Sequence, residues 1–141
     1  MLKRLSVFAM AVALAFATLV VSTPKSVSAA CTGPGVTIYA GAGGTGTSKT
    51  FCQTDGNIPN LTNVFVQLRL FECGPIHGND LNDCVTSARY FENGVDGAVC
   101  LDADNNYNGD TLKFQSDVGV VNVPGWLDNR TSSIQFSLSC T

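Results

Sequence analysis

The fold is decided by the stretch over residues 125–140, GWLDNRTSSIQFSLSC. Its second half alternates apolar and polar residues, with Ile134, Phe136 and Leu138 separated by glutamine and serine. Successive side chains of a strand point to opposite faces, so the alternation over 132–140 predicts a strand with one face in a core and the other in water. Residues 64–73 alternate in the same way and predict a second such strand.

Shorter apolar runs predict six more strands, at residues 36–39, 49–53, 88–92, 99–102, 111–115 and 118–123. Clusters of Gly, Asn and Asp lie between them, as turns with positive φ require. From Cys31 onward we find no stretch of ten residues with apolar positions at helical spacing. About eight short strands with such turns predict an all-β sandwich of two packed antiparallel sheets.

The chain also repeats itself. The segment 35–51 aligns with 97–114, and the segment from Ile58 parallels the one from Val123. The repeat predicts a single domain over residues 31–141, with a first motif at 35–73, a connection at 74–96 and a second motif at 97–140. Four strands cannot bury both of their apolar faces, so each half needs the other.

The N-terminus predicts export. Lys3 and Arg4 precede an apolar run over residues 7–21, and small residues end at Ala30. This order is typical of a signal peptide over residues 1–30, too short and wrongly flanked for a membrane span, and it predicts a secreted, extracellular protein. Once it is removed, five basic residues stand against eleven acidic ones, a net charge of −6. That balance argues against nucleic acid as a partner.

All six cysteines follow the signal peptide: Cys31, Cys52, Cys73, Cys84, Cys100 and Cys140. An even number in an exported chain predicts three disulfides, whose connectivity the sequence leaves open. The alternative is a lipoprotein acylated at Cys31, which would leave one thiol unpaired.

Two features of the second half carry a family resemblance. Tyr107, Asn108 and Gly109 look like the folded hairpin of a Greek-key motif, and DNRTSS at 128–133 has two Asn or Asp residues, two free positions, a hydroxyl residue and a serine. The second half therefore resembles the βγ-crystallin superfamily, and the two-motif layout covers nearly the whole mature chain. Two departures stand out: Gly44 replaces the second aromatic of the first hairpin, and 101–109 is one residue longer than usual.

The resemblance implies a Ca²⁺ site, because the family binds this ion at the DNRTSS pattern. Ca²⁺ takes six to eight hard oxygen ligands. The implied donors are Asp128, Asn129, the Arg130 carbonyl and Ser132, with a further oxygen from Asp102 and one from Asn63 in the first half. Val66 takes the hydroxyl position of that half, so we expect at most one good site.

A metal-free loop is the alternative reading of DNRTSS, because Asp128 and Asn129 can hydrogen-bond nearby backbone. Trp126, just before the loop, is predicted to fill the core between the sheets.

No nucleophile with a neighbouring base can be named, so we expect a non-enzymatic protein. We also expect a monomer. The alternative function is that of a protease inhibitor or a killer-toxin-like protein, since the resembled superfamily contains both. Its partner would be an extracellular protease or a target on a competitor cell. Pro75, Ile76 and His77, between Cys73 and Cys84, form the candidate interaction loop.

Overall fold

The computed structural model describes residues 31–68, 72–73, 80–94 and 96–140. The predicted signal peptide lies outside this part of the chain. Within it the structure has seven strands: β1 (Gly35–Gly41), β2 (Thr45–Cys52), β3 (Ser87–Phe91), β4 (Val99–Asp104), β5 (Asn108–Phe114), β6 (Val121–Asn122) and β7 (Ser133–Phe136). They form an antiparallel four-stranded sheet, β2-β1-β3-β6, and an antiparallel three-stranded sheet, β5-β4-β7. The predicted all-β fold with two sheets is confirmed.

The two halves exchange strands. β6 belongs to the second half but pairs with β3 of the first, with Val121 opposite Ala88. In return, Ile58 of the first half forms a bridge with Ile134 in β7. Each sheet therefore contains backbone from both halves.

The two hairpins have the same turn. Gly43 and Gly44 have φ values of 64° and 77°, and Asn106 and Tyr107 have values of 59° and 63°. Glycine adopts positive φ freely, whereas a tyrosine needs support from its surroundings. Tyr107 receives it from a hydrogen bond that its N–H donates to Ser133 Oγ at 3.0 Å.

The two hairpins also have equal lengths. The extra residue expected over 101–109 was counted from Leu101, whereas the strand pairing makes Asp102 the first residue of that hairpin. Tyr39 pairs with Ser87, and Asp102 pairs with Ser133, so the two positions are equivalent. Asp102 thus occupies the place that Tyr39 has in the first hairpin, and no residue is inserted.

The expected end of the first motif at residue 73 is also corrected. β3 pairs with β1, with Ala88 opposite Ile38, although it lies inside the predicted connection. The strand expected at 64–73 is not found in its described residues, which contain only an isolated bridge between Phe65 and Asp80. The alternation arises because Val64, Val66 and Leu68 pack against the core while Phe65 is 80% exposed. The segment between Leu61 and Leu81 is therefore an insertion within the first half.

The core lies between the sheets and includes side chains from both halves, such as Ile38, Tyr90, Leu101 and Ile134, all with no exposed surface. Trp126 is an exception to the prediction, because its side chain is 43% exposed. The adjacent Leu127 is fully buried and takes the interior position instead.

Three disulfides pair all six cysteines. The bonds join Cys31 to Cys52, Cys73 to Cys84 and Cys100 to Cys140, with Cα–Cα distances of 5.4, 5.2 and 5.9 Å. This connectivity was open from the sequence. The thiol of Cys31 is used in a disulfide, which argues against the lipoprotein alternative. In the described part of the chain, no helix is long and apolar enough to cross a membrane.

Candidate functional site

Two loops with the same sequence pattern are hydrogen-bonded to each other. One is DNRTSS at 128–133, and the other is NDCVTS at 82–87. A fully buried leucine precedes each loop, Leu127 and Leu81, and each loop ends in the serine that begins a strand. The loops therefore occupy equivalent positions in the two halves.

Reciprocal backbone hydrogen bonds join the loops. Asp83 N–H donates to the carbonyl of Thr131 at 3.0 Å, and Asn129 N–H donates to the carbonyl of Val85 at 3.1 Å. Asp83 and Asn129 are the second residues of their loops, and both have positive φ, 53° and 56°. Asn and Asp tolerate this region better than most residues, which is the local reason for their presence here.

A surface depression lies where the DNRTSS loop, the second hairpin and the NDCVTS loop meet. We call it the loop depression; it has a volume of about 510 Å³. Except for Ala103, its lining is polar: Asn82, Asp83, Asp104, Asn105, Asn129, Arg130 and Ser132.

Oxygen atoms from both halves converge at Ser132. Its hydroxyl donates to Asp83 Oδ1 at 2.9 Å, and it lies 3.3 Å from the Arg130 carbonyl oxygen. The depression thus offers two carboxylates, from Asp83 and Asp104, together with amide, hydroxyl and carbonyl oxygens. No cluster of three His, Cys, Asp or Glu side chains suited to a metal is present among the described residues. The donor set is one of mixed oxygens, the kind that Ca²⁺ accepts.

One buried oxygen at the depression supports the fit to a cation. Asn82 Oδ1 and Asp128 Oδ1, at the first position of each loop, have no hydrogen-bond partner among the residues described, and of these two residues only Asn82 lines the depression. Buried polar atoms are nearly always satisfied, so the unsatisfied oxygen of Asn82 calls for a ligand or water.

The structure brings together only part of the predicted ligand set. Asn129, Arg130 and Ser132 line the loop depression, whereas Asp102, Asp128 and Asn63 do not. The Asp102 carbonyl instead accepts the Ser132 N–H at 2.9 Å. Asn63 lies in a single 3-10 turn at Leu61–Asn63 and is exposed.

The sequence reasoning missed Asp83 and Asp104. The signal for Asp83 was available, because NDCVTS has the same pattern as DNRTSS. The insertion after Leu61 separates NDCVTS from the rest of the first half, so the sequence alignment of the two halves places it in the predicted connection.

The candidate interaction loop of Pro75, Ile76 and His77 lies outside the described residues. The disulfide between Cys73 and Cys84 joins the two ends of the segment that contains it.

Asp102 has an environment of its own on β4. The side chain is 2% exposed, Oδ1 accepts the Thr111 hydroxyl at 2.6 Å, and Oδ2 has no partner within the described part of the chain. Burial raises the pKa of this carboxyl above its ordinary value, and the hydrogen bond from Thr111 opposes the rise only in part.

This raised pKa gives a pH dependence of stability. Between the ordinary aspartate pKa and the raised one, the folded state binds more proton than the unfolded state, so stability decreases as pH rises. We expect Asp102→Asn to remove this slope and to raise the melting temperature at neutral pH. Thermal unfolding from acid to neutral pH measures both. Asp110→Asn, at an exposed carboxylate beside Thr111, should keep the slope, and an unchanged slope in Asp102→Asn would contradict the assignment.

The described geometry defines a class of protein: a disulfide-bonded sandwich of two Greek-key halves with paired loops. No protein-family model and no curated protein sequence matches the chain. One similar solved structure concerns the evolution of the eye lens βγ-crystallin domain fold. It is 19% identical to this chain, and the alignment covers 77% of this chain and 88% of that structure's chain, with a TM-score of 0.54. A double mutant of a βγ-crystallin domain from Clostridium beijerinckii is also 19% identical and aligns with 74% of this chain and 98% of its own, with a TM-score of 0.50. The protein has the βγ-crystallin fold, which confirms the resemblance at the level of structure.

Proposed function

We propose that this protein is a secreted, non-enzymatic protein of the βγ-crystallin type that binds one Ca²⁺ ion in the loop depression. The observation that carries the proposal is the convergence of oxygens from both halves at Ser132. The ligands would be the carboxylates of Asp83 and Asp104, the Arg130 carbonyl and the Ser132 hydroxyl. An ion held by both halves would stabilise their association, because binding to the folded state alone raises stability by mass action.

The first hairpin supports a stoichiometry of one. By the strand pairing, Gly41 and Ala42 hold the positions that Asp104 and Asn105 hold in the second hairpin. A depression beside the first hairpin would therefore lack the side-chain oxygens of these two positions. Secretion is supported by the three disulfides, which persist in oxidising compartments.

Calorimetric titration of the oxidised protein with Ca²⁺ tests the proposal. We expect one site per chain and a melting temperature that falls when a chelator is added. At a free Ca²⁺ concentration of about 100 times Kd, the stabilisation should be about 2.7 kcal/mol. Absence of both heat and a change in melting temperature would exclude the metal.

Three variants locate the site. Asp83→Asn and Asp104→Asn each remove one anionic ligand, and we expect each to weaken binding by about tenfold or more, since ligand charge sets much of the affinity for Ca²⁺. Asp96→Asn removes the same charge at an exposed residue that does not line the loop depression. If Asp96→Asn weakened binding as much as Asp83→Asn, the effect would be one of net charge and the ligand assignment would be wrong.

A second candidate function is that of an inhibitor or toxin acting through the segment between Cys73 and Cys84. The disulfide supports it, because closing a short loop lowers the entropy lost when the loop binds a partner. Assays against secreted metallo- and serine proteases test it, with Ile76→Asp as the loop variant and Leu138→Asp as the control. Inhibition that survives Ile76→Asp would exclude this loop.

A further inference from the structure

A second concave surface lies beside β5 and contains the single tryptophan of the chain. We call it the Trp126 groove; it is lined by Asp110, Thr111 and Trp126 and has a volume of about 300 Å³. Large aromatic side chains are mostly buried in small domains, and this one keeps 43% of its surface exposed. Because the ring of Trp126 is only partly buried in the core, its exposed face is available to bind a ligand.

The polar groups of the groove accept hydrogen bonds. The hydroxyl of Thr111 has one hydrogen, which it donates to Asp102 Oδ1 at 2.6 Å. Toward the groove this hydroxyl can therefore only accept. The carboxylate of Asp110 is likewise an acceptor when ionised. A ligand that fits must supply donors.

The charge of the groove is negative. Asp110 lines it, and Asp102 lies directly behind the Thr111 hydroxyl with Oδ2 unpartnered in the described structure. No Lys, Arg or His belongs to the lining. The face of an indole ring attracts cations, and the Asp110 carboxylate in the same lining strengthens that attraction while it repels anions.

Hydrogen bonds hold the backbone around Trp126. Leu127 N–H donates to the Pro124 carbonyl at 2.8 Å, and Arg130 N–H donates to the Leu127 carbonyl at 3.0 Å. Arg130 Nη1 also donates to the Trp126 carbonyl at 2.9 Å, so the guanidinium of Arg130 is engaged with backbone. An ordered backbone at Trp126 reduces the entropy that the groove loses on binding.

We propose that the Trp126 groove binds the guanidinium group of an arginine side chain on a partner protein, stacked on Trp126 and hydrogen-bonded to Asp110. A guanidinium is planar, always charged and rich in donors, so it satisfies the ring face, the charge and the acceptors together. An ammonium group provides the charge without the planar stacking surface. The proposal is independent of Ca²⁺ binding in the loop depression.

The fluorescence of Trp126 reports binding directly, because no other tryptophan is present. The full oxidised chain, with a chelator present to keep the loop depression metal-free, is titrated with N-acetyl-arginine amide. N-acetyl-citrulline amide, which has nearly the same shape without the charge, is the matched control. We expect saturation with the arginine probe, at least fivefold weaker binding of citrulline, and weaker binding at high salt.

Two variants complete the test. Asp110→Asn should weaken arginine binding at least fivefold, whereas Asp96→Asn, with the same charge change at another exposed site, should stay within twofold. Both replace exposed residues, and an unchanged melting temperature confirms that they fold. Equal binding of citrulline and arginine, a response to a neutral oligosaccharide instead of arginine, or no response to any probe would each overturn the proposal.

Discussion

Replacing Cys100 and Cys140 together by alanine is expected to lower the free energy of unfolding by about 4 kcal/mol. The bond closes a loop with a sequence separation of 40 residues, and the entropy that a cross-link removes from the unfolded chain increases with loop length. A loss of this size is a large share of the 5–15 kcal/mol typical of a domain. Urea unfolding of the double variant measures it.

The disulfide between Cys73 and Cys84 provides the matched comparison, because its sequence separation is only 11 residues. By the same relation its removal should cost about 3 kcal/mol. A larger loss for Cys73 and Cys84 than for Cys100 and Cys140 would show that chain entropy does not set the order.

Leu127→Ala is expected to cost about 2–5 kcal/mol, the usual range for truncating a fully buried leucine. Leu127 lies directly before the DNRTSS loop, so we also expect weaker Ca²⁺ binding. Leu81 has the equivalent position before NDCVTS, and Leu81→Ala should cost a similar amount. Urea unfolding measures both variants.

Leu138→Ala is the control for these two variants, because that side chain is 70% exposed and its truncation should change stability by less than about 0.5 kcal/mol. A near-neutral Leu127→Ala would contradict the packing described for the loops.

Short apolar runs between turn residues predicted most of the strands, and alternation predicted the strand that ends the second half. The run at 132–140 contains β7, and the runs at 36–39 and 99–102 lie within β1 and β4. The same signal failed at 64–73, where Val64 and Val66 pack against the core without forming a strand of either sheet. Alternation reports which side of a segment is buried, and it does not report whether a partner strand is present.

The sequence predicted one of the two loops that form the candidate site. The family resemblance implied the DNRTSS loop, whereas Asp83 and Asp104 lie far from it in the chain and meet it only through the fold. An insertion before NDCVTS hid the equivalence of the two loops. The exposure of Trp126 also depended on tertiary structure, because either Trp126 or Leu127 could have taken the interior position.

The exchange of strands between the halves affects how the molecule can be assembled. Ile58 pairs with Ile134 and β3 pairs with β6, so segments from the first half of the chain can pair only after residues near its end have been synthesised. Neither sheet can be completed on a ribosome-bound fragment that lacks the final third of the polypeptide. Truncation before Val121 would for the same reason remove β6 from the sheet built mainly from the N-terminal half, far away in sequence from most of that sheet.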